Sequence, residues 1–279
     1  MKCGVRILSK SQFQNPENLA SEARRQILKM THSAQASHVG SALSIVDVIA
    51  AIYCNLSRID SNSLESETRE IVILSKGHAA ASLYSVLALR EYFPMDWLSA
   101  YCQNGAQLGG HVTAKDVPGV ELSTGSLGHG FPYGLGIALS RKMNSKSGKV
   151  IVIISDGECD EGTTWESALV ANQHNLDNLI VVIDRNRIQS LAGTEETLQL
   201  EPLADKWRAF GWDVTEIDGH NHKEIESALI NNTKPKCIIA NTLKGKGVDF
   251  MQDTVLWHYK SPNAQELESA LSQLEGNHQ

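Results

Sequence analysis

The sequence lacks every feature that would mark a secreted, membrane-spanning or nucleic-acid-binding chain. Its five cysteines (Cys3, Cys54, Cys102, Cys159 and Cys237) are scattered, and no Cys-x-x-Cys pair occurs. An odd, dispersed set of this kind reads as reduced thiols in a cytoplasmic protein rather than a disulfide framework. No apolar run approaches the ~20 residues that a membrane span needs. Lys and Arg number 25 against 32 Asp and Glu, a net charge of −7, so there is no basic footprint for nucleic acid. The opening residues Met1 to Leu8 have no long apolar core and no cleavage signature, so no secretory leader is expected. There is no internal repeat, no low-complexity stretch and no clear linker.

What is present is ordinary for a globular chain: 42% apolar and 20% charged residues over 279 positions. That length can bury a large core, as one α/β domain or two small ones. Residues 1–15 are polar and unpatterned and are expected to form an arm. From Glu17 the apolar positions Leu19, Ala23, Ile27 and Met30 share one helical face. Residues 32–41 read as a small-residue loop, followed by a helix with Ile45, Val48, Ile49, Ile52 and Leu56 as its stripe. Residues 57–68 read as a surface loop. Ile71–Leu74 reads as a short buried strand, and a helix through Leu83, Val86 and Leu87 follows. Residues 94–110 hold a short helix and a Gly-ended turn, and 111–130 are loop-rich. Pro132 sits where the first turn of a helix tolerates proline, and that helix is expected to run to about Met143. Beyond the centre come helix 202–210, strand 212–217, helix 222–231, strand 236–242, a Gly-rich turn at Lys244–Gly247 and a C-terminal helix. Alternating strands and helices predict one doubly wound, mainly parallel α/β sheet with helices on both faces.

The densest chemistry lies between residues 149 and 188. Lys149–Ile154 is an apolar, β-branched run, which reads as a strand buried on both faces. It breaks at Ser155-Asp156-Gly157-Glu158. Thr163-Thr164-Trp165-Glu166 reads as a helix start with Thr as cap, with Trp165, Ala168 and Leu169 on one face. Leu179–Ile183 is a second buried strand, ending in Asp184-Arg185-Asn186-Arg187-Ile188. A parallel βαβ unit places both polar turns at one edge of the sheet, where open α/β sheets bind ligands. Asp156 and Asn186, about thirty positions apart, are therefore expected to approach each other. A carboxylate with an amide carbonyl is a hard-oxygen pair suited to Mg²⁺ or Ca²⁺, which leaves coordination sites open for phosphate oxygens. An Asp-Gly turn and an Asn turn are also common at strand ends in any α/β protein, and these residues alone suit either reading.

The stretch resembles the thiamine-diphosphate motif, an Asp-Gly followed about thirty residues later by an Asn. Its flanks, Glu158–Gly162 and Trp165-Glu166, resemble transketolases, with Ser155 where that family usually has the first glycine. Further matches occur in the family's order. His38, in Ser37-His38-Val39-Gly40, stands at the place of the family's Gly-His-Pro-Gly, whose histidine faces the substrate. Ser75-Lys76-Gly77-His78 follows a strand directly. The resemblance implies that His78 lies over the cofactor's diphosphate and thiazolium. His111, ahead of Val117-Pro118-Gly119-Val120-Glu121, is implied to reach the reacting carbon. Gly125-Ser126-Leu127 is implied to form the turn under the aminopyrimidine, and Gly allows the close backbone approach this needs. His129 stands where a Gln is usual and is assigned no role. His258 is implied to touch diphosphate and substrate, Glu161 to lie at a subunit boundary near the cofactor, and Gly157 to belong to the cofactor turn. Lys244 is expected to be solvent-exposed. The metal set implied is Asp156, Asn186 and the carbonyl of Ile188.

The resemblance covers most of the chain, from about Ser37 to His258. It implies a single diphosphate-binding domain over 1–279 and the N-terminal part of a transketolase. The activity implied is transfer of a two-carbon ketol unit from a ketose to an aldose, with sugars or sugar phosphates as substrates. The implied cofactors are thiamine diphosphate and Mg²⁺ or Ca²⁺. The family's aminopyrimidine-activating glutamate lies in a second domain, so a partner subunit is expected to supply it, with self-association giving α2β2. Two alternatives stand beside this: the α subunit of another thiamine-diphosphate enzyme such as a keto-acid dehydrogenase, and a non-catalytic cofactor-binding or regulatory subunit.

Overall fold

The computed structural model describes residues 13–56, 64–230 and 233–276. Most of the arm expected at 1–15, and the first part of the loop expected at 57–68, lie outside the described residues. Asn15 is no part of an arm. Its side chain accepts a hydrogen bond from the Asn18 amide and caps helix α1 (Pro16–Ala34), with Pro16 in the first turn, where its missing N–H costs nothing. Helix α2 is Val39–Asn55. The loop expected at 32–41 is thus mostly helical and shrinks to four residues, 35–38.

The remaining elements are β1 (Ile71–Leu74), α3 (Ala80–Leu89), α4 (Gly130–Met143), β2 (Val150–Ser155), α5 (Gly162–Gln173), β3 (Leu179–Arg185), α6 (Thr194–Thr197), α7 (Leu203–Ala209), β4 (Asp213–Asp218), α8 (His222–Ala228), β5 (Lys236–Asn241) and α9 (Ala264–Gly276). The strands form one sheet in the order β1-β2-β3-β5-β4, and every pairing is parallel. The doubly wound α/β sheet read from the sequence is the fold observed. Side chains alternate between the two faces. Val72, Leu74, Ile151, Ile153, Ile180, Val182 and Ile238 join α1, α2 and α3 in one core. Ile73, Val152, Ile154, Val181, Ile183 and Ile239 pack with α4, α5 and α7 in the other. Each such side chain, buried completely, contributes about 1.5–3 kcal/mol. This is why the central strands are apolar throughout, whereas the edge strand β4 is largely exposed and mixed in character.

Two expectations about α5 fail. Glu161, not a threonine, occupies the N-cap position and makes no side-chain cap bond. The threonine hydroxyls are drawn elsewhere: Thr163 donates to the Gly128 carbonyl at 2.7 Å and Thr164 to that of Glu158 at 2.6 Å. Leu169 does not share the buried face of Ala168; it is 58% exposed.

Candidate cofactor site at the carboxyl edge of the sheet

β2 and β3 run in register, Ser155 opposite Asp184, so the residues that follow each strand meet at one edge. Asp156 opens a short 3-10 turn. Its Oδ1 accepts from the Gly157 amide at 2.9 Å, and its Oδ2 accepts from the Arg187 amide at 2.7 Å and from the Arg185 guanidinium at 3.3 Å. Asn186 sits between those two arginines. Its amide nitrogen donates to Asp184 at 3.1 Å and toward the Ser44 hydroxyl at 3.4 Å, and its Oδ1 accepts from the Ile188 amide at 3.1 Å. Those bonds to the NH₂ group fix which way the amide faces. The Ile188 carbonyl accepts from the Lys244 ammonium at 3.0 Å.

These residues fit a hard cation. Burial pushes the Asp156 carboxyl up to about 6, with Asp184 adding to the shift, so the carboxylate is short of positive charge in spite of its arginine. The other two donors are an amide oxygen and a carbonyl, the oxygen ligands that Mg²⁺ and Ca²⁺ take. The Ile188 carbonyl already faces a cation, the ammonium of Lys244. Among the described residues no cluster of three or more His, Cys, Asp and Glu that could hold a metal exists. A metal here would therefore be held by one carboxylate and neutral oxygens, and substrate or cofactor oxygens would complete its shell.

Beneath this edge lies a set of buried charges. Lys76 and Asp184 pair with no exposure of either side chain. Asp184 also accepts from the hydroxyls of Ser44, at 2.6 Å, and Thr242. Burial pushes its carboxyl up, but Lys76 and these hydrogen bonds outweigh that and hold it below the usual range. Glu158, also fully buried, accepts from Ser75 Oγ at 2.5 Å, Gly128 N at 3.0 Å and Ser155 N at 2.9 Å. One carboxylate thus ties together the strand end before His78, the Gly-rich turn and the Asp156 turn. Lys244, expected at the surface, is buried. Its four-carbon stem is covered and its ammonium is satisfied by two carbonyls, of Ile188 and Gln189, and by His258 Nδ1 at 3.0 Å. Burial, then Lys76, lowers it to about 8.

The histidines converge although they are widely spread along the chain. The His38 ring lies 5.4 Å from that of His78, 5.5 Å from His111 and 5.0 Å from His258, centroid to centroid. His38 holds its place with a left-handed backbone, φ 73°, just before α2, and its amide donates to the His258 carbonyl at 2.8 Å. Burial lowers His38 to about 4 and His258 to about 3, with neighbouring histidines and lysines adding to both. Burial and Lys76 hold His78 well below its usual value. All three are neutral imidazoles at pH 7.

Gly125 backs the cluster: a Cβ there would stand 3.3 Å from the His111 ring. Gly77 is required for the same assembly, because its Cβ would lie 2.4 Å from the Thr124 carbonyl. Ser126 is exposed and Leu127 half-buried beside this turn, and Glu161 lies against it, its Cβ 2.8 Å from where a Gly128 Cβ would be. His129 is exposed and bonds only to the Leu127 carbonyl. The arrangement therefore brings together His38, His78, His111, His258, Gly125, Asp156, Asn186 and Ile188. Sequence reasoning missed Lys76, Asp184, Ser44, Glu158 and Tyr259, whose ring lies 4.8 Å from His258 and 6.3 Å from His38. The polar end of an apolar strand was a signal for Asp184; a serine on the apolar stripe of α2 was one for Ser44.

A family model described as the thiamine diphosphate binding domain of transketolase matches residues 16–278. The chain belongs to that family. One of the two subunits named for the apulose-4-phosphate transketolase of Actinobacillus succinogenes is 39% identical over 262 residues, which are 92% of this chain and 95% of that relative. The 6-deoxy-6-sulfo-D-fructose transketolase subunit SqwG of a Clostridium species is 39% identical over 263 residues, 93% of this chain and 96% of its own length. Human transketolase is 30% identical over 246 residues, 88% of this chain but 39% of the human protein. A Pichia stipitis transketolase solved with sedoheptulose 7-phosphate superposes with a TM-score of 0.88 at 26% identity, over 93% of this chain and 40% of that one. The chain thus spans nearly the whole of two relatives named as subunits and about two-fifths of full-length transketolases.

Proposed function

We propose that this chain is the diphosphate-binding subunit of a thiamine-diphosphate-dependent transketolase made of two kinds of polypeptide, and that it forms a single domain. The observation that carries the proposal is the gathering of four imidazoles at the sheet edge that also bears Asp156 and Asn186. Lys244 links the two parts, touching both His258 and the Ile188 carbonyl. The resemblance of this chain to subunits of matching length supports the same reading.

In this reading Asp156, Asn186 and the Ile188 carbonyl hold Mg²⁺ or Ca²⁺ against the diphosphate, with Gly157 in the turn and His78 over it. Gly125, Ser126 and Leu127 leave room for the aminopyrimidine, and Glu161 faces the subunit boundary. When bound, thiamine diphosphate supplies the electron sink that lets the C2–C3 bond of a ketose break. His38, His111 and His258 face the sugar. A neutral imidazole can take the proton from the donor's C3 hydroxyl as that bond breaks and return one to the acceptor's aldehyde oxygen. Burial excludes water from these transfers. Sugar phosphates, or ketoses of the kinds named for the relatives, are the substrate class.

The partner is a second chain supplying the glutamate that activates the aminopyrimidine. Exposed Tyr133, Leu169 and Val170 on α4 and α5 are apolar surface that other chains in an α2β2 assembly would cover. The free thiols Cys54, Cys102, Cys159 and Cys237 suit a reducing cytoplasm, and among the described residues no helix is long and apolar enough to cross a membrane. The test is ketol transfer by the homogeneous chain, purified from a host without transketolases, alone and with the candidate partner. Turnover is expected only with the partner; robust turnover by the chain alone would refute the two-chain reading.

A further inference from the structure

His111 is held in an unusual way. Its imidazole makes no hydrogen bond to any described residue, and it is exposed. Its ring neighbours are His38 and the bare backbone of Gly125. What fixes the ring is therefore the backbone beneath it. The Tyr84 hydroxyl donates to the His111 carbonyl at 3.0 Å and accepts from the Thr113 amide at 2.7 Å. One oxygen thus spans the residues either side of Val112. Tyr101 adds a contact from its hydroxyl to the Gly110 carbonyl at 3.3 Å, and the Val112 amide donates to the Gly77 carbonyl at 3.2 Å.

Tyr84 itself is fixed. Its side chain is fully buried in α3, the helix that begins just after His78, and its ring packs edge-on against Tyr101 at 6.2 Å. Burial raises its phenol, so it keeps the proton it donates. The helix that follows one site histidine therefore anchors a second across the pocket.

We infer that Tyr84 is a positioning residue for His111, its buried hydroxyl clamping the 111–113 backbone so that the imidazole stands at the reacting carbon. The inference rests on the transketolase reading above. Tyr84 touches neither sugar nor cofactor, so its whole effect must pass through His111. A displacement of about 1 Å at a reacting group can cost on the order of 100-fold in rate.

A double-mutant cycle in the complex of the chain with its partner subunit tests this. Tyr84→Phe keeps the ring and removes only the oxygen. It should lower kcat by roughly 10- to 100-fold with thiamine diphosphate affinity unchanged, yet cause no further loss in a His111→Ala background. Equal losses in both backgrounds would overturn the clamp and leave the transketolase reading intact. If His111→Ala itself leaves turnover unchanged, both fall. Independently of turnover, the His111 ring Cε1–H resonance, assigned with His111→Gln, should shift or broaden in Tyr84→Phe; an unmoved resonance overturns the clamp even if the complex is inactive. Should Tyr84→Phe not fold, Tyr101→Phe takes its place, with a smaller loss expected and the same dependence on His111.

Discussion

Lys76 and Asp184 are paired with neither side chain exposed, and the same Asp184 carboxylate orients the amide of Asn186 at 3.1 Å. A structural ion pair therefore sits directly beneath the oxygens that face the cofactor edge, so stability and ligand geometry share one residue.

Removing one partner of that pair should be costly. Lys76→Met leaves Asp184 buried without its cation, which should destabilise the fold by ~3–5 kcal/mol in urea unfolding. Lys76→Met with Asp184→Asn should recover much of the loss, because no unpaired charge remains. A single-variant loss below ~1 kcal/mol, the range of an exposed pair, would show that the pair is not what stabilises this edge.

Asp156→Ala should weaken thiamine diphosphate binding in the presence of Mg²⁺ by at least ~10-fold, the scale on which lost metal-site ligation acts. Calorimetric titration with and without EDTA checks it. Chelation should weaken the wild type and leave the variant almost unaffected. Equal affinity of variant and wild type in Mg²⁺ would remove Asp156 from the metal set.

His38→Ala and His111→Ala should each reduce turnover ~10²–10⁴-fold, the contribution of a positioned proton carrier, while cofactor affinity changes little. His78→Ala should act mainly on cofactor affinity instead. Steady-state kinetics beside binding titrations separate the two outcomes, and an unaltered kcat in the first pair would contradict their assignment to the sugar side.

Acid should destabilise the fold in two windows. His38 and His258 are lowered to about 4 and about 3, so the folded chain binds fewer protons than the unfolded one. Their stabilising contribution is complete above ~6.5 and is lost as pH falls toward those folded values. Asp47 acts at lower pH. Burial alone would raise its carboxyl, but the Arg24 guanidinium and bonds from His220, at 2.7 Å, and His222, at 3.1 Å, bring it well below the usual range. Its contribution is present above ~3.9 and is lost as pH falls through the folded value. Unfolding measured between pH 8 and 3 should show both declines, and Asp47→Asn should flatten the lower one. Ring resonances of His38 that titrate near 6.5 would contradict the first window.

Much of this was legible in the sequence for a physical reason. Parallel strands buried on both faces are apolar from end to end, so Val150–Ile154 and Leu179–Ile183 announce themselves. The abrupt change to Asp156 and to Asn186 marks the carboxyl edge. Spacing along one chain does not reveal what packs across it. Lys244 lies in a Gly-rich turn that suggests solvent, and only the carbonyls of Ile188 and Gln189, more than fifty positions away, explain its burial. The threonines before α5 have good capping chemistry, but the Gly128 carbonyl competed for Thr163. Leu169 faces outward because helix rotation is set by Ala168 and Ala171 against the sheet. Tyr84 looks like any core aromatic until the loop it holds is seen.

The pairing of β1 with β2 has a consequence for how the molecule comes into being. Leu74 is followed by an excursion that returns to the sheet only at Val150, its neighbour Ile71 pairing there in parallel. His78, His111 and the Gly125 turn all lie within that excursion. Closing a loop of this length costs little more equilibrium free energy than closing one half as long. It does slow the search, because contacts distant in the chain pair later than local ones. The β2–α5–β3 unit with Asp156 and Asn186 is compact and local, so it is poised to form first. The metal-facing oxygens are then in place on the nascent sheet before the imidazole side arrives, and the pocket closes around an edge already built.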